Sequence, residues 1–178
     1  MQNEGTNTET LLIITGTMGA GKTSVLGEAS DILTLRQIAH AAIDLDALGL
    51  AYLPSATAND GVMYRNLKSV CENYASLGVN RLLLARAVED RSELERCRDA
   101  VSATNTMVCR LVASIEAMEE RVKRREWGVS HQEYVARVAK LNAIVDRARL
   151  EDFSVTNEDR SLTEVARNML VKAGWIAG

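Results

Sequence analysis

Short apolar runs alternate along this chain with longer stretches in which apolar residues recur every three or four positions. Leu11-Leu12-Ile13-Ile14 is the first run; it stops at Gly16 and reads as a strand buried on both faces. A helix is expected from about Lys22 to Ser30. His40–Asp44 is a second short run and ends in an acid, and Tyr52–Gly61, with the only proline, reads as a loop. Met63, Leu67, Val70, Cys71, Tyr74 and Leu77 repeat at helical spacing over 62–77, and Gly78 supplies a natural stop. Leu82–Ala85 and Thr106–Leu111 read as further strands. Ser92-x-x-Glu95, Ser130-x-x-Glu133 and Ser161-x-x-Glu164 are three capping-box patterns, each expected to open a helix. Ile115, Met118 and Val122 mark a helix before the second box, and Phe153–Thr156 is a short last strand. Five strands alternating with helices predict a three-layer α/β domain with a mostly parallel sheet. No repeat or linker divides residues 1–178, so one domain is expected.

One segment changes this from a fold class into chemistry. Gly16-Thr17-Met18-Gly19-Ala20-Gly21-Lys22-Thr23 matches G-x-x-x-x-G-K-[ST] at every fixed position, between a predicted strand and a predicted helix. Glycine lets backbone approach phosphate oxygens without a Cβ clash. The loop amides and the helix start, including Ser24, offer unpaired N–H groups to an anion. Lys22 supplies a point charge for the β and γ phosphates, and the Thr23 hydroxyl joins a Mg²⁺ shell. The implied ligand is a nucleoside triphosphate with Mg²⁺. A guanine-specifying NKxD motif is absent, which favours ATP.

Phosphoryl transfer also needs a positioned base and countercharges. Asp44-Leu45-Asp46 follows the second strand, at the sheet edge where ligands sit in open parallel sheets. Asp44 is the candidate metal residue and Asp46 the candidate base; the bland alternative is that they cap the following turn. Arg121 and Arg125 share one helix face just before Trp127-Gly128-Val129, and Arg137 lies about two turns into the next helix. These three suit a lid, over about 121–137, that closes on phosphates. Glu119–Lys123 and Glu120–Arg124 fit plain surface pairs. Arg86, just after the third strand, is a candidate contact to the acceptor, as are Arg65 and Asn66 with less support. His40 and His131 have no Ser or Cys arrangement that would make a triad.

Composition excludes several other classes. The chain has 178 residues, 47% of them apolar and 25% charged, with 21 basic against 24 acidic and a net charge of −3. No basic stripe suits a nucleic-acid backbone. Cys71, Cys97 and Cys109 give neither a disulfide framework nor zinc spacing and read as reduced, buried thiols. No membrane-spanning stretch or signal-peptide layout is present, so a cytoplasmic protein, monomer or homodimer, is expected.

The phosphate loop GTMGAGKT, with IDLD after the second strand, EERVKRRE before the lid and FSVTNEDRSLTEVARNML near the end, resembles the P-loop small-molecule kinase group of adenylate-kinase-like fold. Shikimate and gluconate kinases and chloramphenicol phosphotransferases are the most similar in pattern. The resemblance implies strand order 2-3-1-4-5, a short helical lid, and ATP with Mg²⁺. It implies an acceptor that is a small molecule with a hydroxyl group, Asp44 assisting Mg²⁺ and Asp46 contacting that hydroxyl. It further implies Arg121 stacked over adenine, Arg125 on the phosphates, and Val155-Thr156-Asn157 lining the adenine pocket. The chain departs from the pattern at the end of the third strand, where LLLARAVED lacks the acid that many P-loop NTPases carry there. That departure leaves a nucleotide-dependent regulatory or partner-binding module as the alternative function. A phosphotransferase acting on a nucleotide or a nucleic-acid end is a third possibility.

Overall fold

β1 (Thr10–Thr15) carries apolar side chains on both faces because it lies at the centre of the sheet. The computed structural model describes residues 10–50, 59–125 and 131–178. Among them the elements run β1, α1 (Lys22–Leu35), β2 (Ala41–Asp44), a 3-10 turn (Leu45–Gly49), α2 (Asn59–Ser76), β3 (Arg81–Ala85) and α3 (Arg91–Val101). β4 (Asn105–Val112), α4 (Ile115–Arg125), α5 (His131–Ala148), β5 (Phe153–Thr156) and α6 (Leu162–Lys172) complete them. The sheet is parallel throughout, in order β2-β3-β1-β4-β5. The three layers are those expected from the pattern, and the strand order is the one the resemblance implies.

Alternate residues of each central strand feed two cores. Leu12, Ile14, Leu83, Cys109 and Leu111 pack with Val25, Ala29 and Leu33 of α1 and Val165, Met169 and Leu170 of α6. Leu11, Ile13, Leu82, Leu84 and Val108 pack with Met63, Leu67 and Cys71 of α2 and Leu94, Cys97 and Val101 of α3. Trp175 closes the first core. All three cysteines are free and buried; burial pushes the Cys71 thiol up to about 11 and those of Cys97 and Cys109 to about 12. His40 is a structural histidine: its Nδ1 donates to the Ile38 carbonyl at 2.8 Å, which leaves Nε2 to accept from Ser30 at 2.8 Å.

Several boundaries differ from the pattern. α1 runs five residues past Ser30, because Leu33 remains on the buried face. α2 starts at Asn59, so the last residues of the expected loop are helical, and Leu77 is solvent-facing rather than part of the apolar face. The Ser161–Glu164 box forms with both of its bonds. The Ser130 box lies outside the described residues. The Ser92–Glu95 box does not form: Asp90 caps α3, its side chain accepting from Glu93 N at 2.8 Å. Asp90→Ala is therefore expected to cost about 1 kcal/mol in urea unfolding, and Ser92→Ala less than about 0.5 kcal/mol. A larger cost at Ser92 than at Asp90 would return the cap to Ser92.

Candidate active site

β1 ends in the middle of the sheet, with β3 on one side and β4 on the other, so the chain emerging at Gly16 enters a crevice between diverging neighbours. The turn from 16 to 21 is tight. Ala20 N donates to Thr17 O at 3.2 Å, and α1 starts at once, Val25 N donating to Gly21 O at 2.9 Å. Gly21 caps α1 with no side-chain bond, so amides of the first turn stay open to an anion. Glycine is required by the geometry here, most severely at Gly19 and Gly21. Gly19 has φ +78°, and a Cβ there would collide with the backbone carbonyl of Met118 in α4. Gly21 has φ +92°, and a Cβ there would collide with the Asn157 amide.

Three elements hold this loop from outside. Thr17 is buried and its Oγ1 donates to Val138 O of α5 at 3.3 Å. Arg121 of α4 donates to Gly19 O at 3.2 Å and to Asn157 O at 2.7 Å. Asn157, just after β5, is buried and donates from Nδ2 to Ala20 O at 2.7 Å. The Arg121 and Asn157 side chains are thus bonded to loop carbonyls.

Met18, Gly19, Gly21, Lys22, Thr23, Ser24, Asp46 and Arg125 line one cavity of about 140 Å³ at the C-terminal edge of the sheet. Lys22 Nζ donates to Thr17 O at 3.1 Å. Burial lowers the Lys22 ammonium to about 8; Asp46 and then Asp44 pull it back up, while Arg125 and Arg86 push it down. The site therefore holds a strained positive charge that phosphate oxygens would relieve. Arg137 sits on the exposed side of α5 and is not among the lining residues. Trp127 and Gly128 of the expected lid lie outside the described residues.

Asp44 and Asp46 take different partners. Thr23 Oγ1 donates to Asp44 Oδ2 at 2.7 Å, while Asp44 Oδ1 accepts from Asp46 N at 3.2 Å and caps the 3-10 turn. Asp44 thus caps the turn, the alternative weighed against a metal role, and also meets the phosphate-loop hydroxyl. Because Thr23 directs its only proton at Asp44, its lone pairs remain for a cation. A hydroxyl and a carboxylate are hard oxygen donors that suit Mg²⁺, an ion that leaves most of its shell to phosphates and water. No group of three or more His, Cys, Asp or Glu suited to a metal occurs among the described residues.

Asp46 pairs with Arg86, which also donates to Glu93 Oε1 from Nε at 2.8 Å and from Nη2 at 2.6 Å. Burial alone would lower the Arg86 guanidinium, but Glu93 and then Asp46 outweigh it and hold it above its ordinary value. Glu93 was not anticipated, although a signal was there. It shares the stripe Glu93–Cys97–Val101 at spacing four, so an acid occupies a core position of α3. Of the weaker acceptor candidates, Asn66 donates to Leu48 O at 2.9 Å and Arg65 is exposed.

No protein-family model matches this sequence, and neither does any curated protein. Solved structures do match it along nearly its whole length. A gluconokinase from Sinorhizobium meliloti 1021 is 18% identical with a TM-score of 0.61, covering 94% of this chain and 93% of that one. A sugar kinase from Janibacter sp. HTCC2649 is 16% identical with a TM-score of 0.64, covering 94% and 95%. The APS kinase of Mycobacterium tuberculosis, solved with AMPPNP and APS, is 18% identical with a TM-score of 0.62, covering 94% and 99%. At such identities the likeness shows the fold: that of P-loop small-molecule kinases. No described helix is long and apolar enough to cross a membrane.

Proposed function

We propose that this chain moves the γ-phosphoryl group of ATP to a hydroxyl of a small molecule. The observation that supports it best is the convergence of Lys22, Thr23, Asp46 and Arg125 on one cavity beside the phosphate loop. That set supplies a phosphate clamp, a metal-facing hydroxyl and an acid on the acceptor side. The fold it shares with kinases of different acceptors is consistent with the reaction class and leaves the acceptor open.

Lys22 and the loop amides hold the β and γ phosphates, and Arg125 reaches the transferring oxygens from α4. Thr23 and Asp44 would hold Mg²⁺, which would supply charge neutralisation on the phosphates. Asp46 orients the acceptor hydroxyl for in-line attack. The new bond joins the acceptor oxygen to the γ phosphorus, the bond to the β–γ bridging oxygen breaks, and ADP leaves. The hydroxyl proton passes to the Asp46 carboxylate. ATP hydrolysis without acceptor is expected to be slow, because the attacking hydroxyl that Asp46 orients is then missing.

The test incubates the protein with γ-labelled ATP, Mg²⁺ and pools of hydroxylated metabolites, nucleosides and aminoglycoside- or phenicol-type compounds, beside a Lys22→Ala control. A labelled product absent from the control is expected. No product from a protein that demonstrably binds ATP would favour the nucleotide-dependent binding module instead. The Thr23–Asp44 bond speaks for the enzyme, because an acid from β2 meets the loop hydroxyl although β3 ends without one.

A further inference from the structure

Just past the end of β3 this chain carries Arg86, where many P-loop NTPases carry an acid, and that arginine is held on both sides. Glu93 is 6% exposed and spends both oxygens: Oε1 accepts the two Arg86 bonds, with the Tyr64 hydroxyl at 3.5 Å, and Oε2 accepts from Glu89 N at 2.9 Å. Its backbone is fixed in turn by the Asp90 cap. Asp46 is the opposite case, with a side chain 59% exposed. Among the described residues its carboxylate pairs with Arg86, while Asp44 accepts from its backbone N–H.

A mobile carboxylate is a poor base, because catalysis by a positioned group depends on near-attack geometry. The rigid partner in this set is Glu93, buried and multiply bonded; the exposed partner is Asp46; Arg86 connects them. We propose that Glu93 is a positioning residue: it locks Arg86 side-on, and Arg86 thereby fixes Asp46 against the phosphate-loop cavity. This rests on Asp46 being the base of the proposed reaction. A buried Glu–Arg pair serving only to stabilise α3 would weaken the fold when broken, but its loss would not depend on Asp46.

The experiment is a double-mutant cycle with Glu93→Gln and Asp46→Asn, and a second cycle with Arg86→Lys, which keeps the charge and the α3 cap but lacks the planar fork that holds Glu93 and Asp46 in one fixed geometry. In the Asp46 protein, each change is expected to lower kcat about tenfold or more, with the KM for ATP within about twofold. In the Asp46→Asn background, each should cost less than about twofold. Equal losses in both backgrounds would overturn the proposal. An arm independent of turnover is the Arg86 Nε–H signal in ¹⁵N spectra, assigned by its loss in Arg86→Lys. Slow proton exchange is expected in the native chain and in Asp46→Asn, and fast exchange in Glu93→Gln. Retained protection in Glu93→Gln would overturn the anchoring whatever the kinetics. A native chain with a protected Arg86 signal but no transferase activity would instead count against the kinase reading alone.

Discussion

Lys22→Met should give a protein that melts at a higher temperature than the native chain and no longer binds ATP usefully. The two effects have one source. The Lys22 ammonium is held at about 8, against 10.5 in the unfolded chain, chiefly because folding removes water from it. Between those values the unfolded state binds more protons, so native stability rises with pH across that window; below about 8 the full penalty applies. A shift of this size corresponds to at most about 3 kcal/mol. The side chain is partly solvated, so about 1 kcal/mol is a fairer figure, or roughly 3 °C in Tm for a chain this long. Methionine has similar reach and no charge to desolvate. ATP affinity should meanwhile fall by about 100-fold or more, since a charge-assisted contact to phosphate is lost. Calorimetry of the nucleotide-free proteins and titration with ATP read the two effects separately. An unchanged or lower melting temperature would mean that the lysine is not strained. In the native chain, apparent ATP affinity should decline as pH rises above about 8, where free Lys22 loses its proton.

Asp46→Asn should cut turnover by about a thousandfold, the usual scale for removing a positioned acid–base group, with ATP affinity at neutral pH within about threefold. Asparagine keeps the shape and a hydrogen bond to Arg86 but takes no proton. The same change should move the alkaline decline of ATP affinity to lower pH, because Asp46 gives the largest upward pull on Lys22. A kcat loss below about fivefold would remove Asp46 from the role of base. A loss matched by weaker ATP binding at neutral pH would make it part of the nucleotide clamp.

How much of this could be read from the chain depends on how local the cause is. The phosphate loop was legible because its fixed positions answer a local need: backbone close to an anion, with one cation and one hydroxyl. The strands were legible as apolar runs, and their order followed from the family pattern rather than from spacing. The α3 cap was misread because Ser92-x-x-Glu95 and Asp90-x-x-Glu93 overlap, and both satisfy the local rule. Asp90 prevails in a structure where Glu93 is already claimed by Arg86, from a strand that local pattern does not bring near. Arg121 and Asn157 were expected around the site, but their bonds to Gly19 and Ala20 carbonyls depend on how α4 and the β5 loop dock. Arg137 was placed by counting turns; the facing of α5 puts it on the exposed side.

The bonds from Thr17, Arg121 and Asn157 to and from the phosphate loop have a kinetic consequence. A loop whose shape is imposed by α4, α5 and the β5 turn has little disorder left to lose when a polyphosphate arrives. Association should then run at the rate of encounter and proper orientation, and be nearly indifferent to which triphosphate is offered. Discrimination between nucleotides, and the damage done by loosening any one of those three tethers, should surface mainly in residence time.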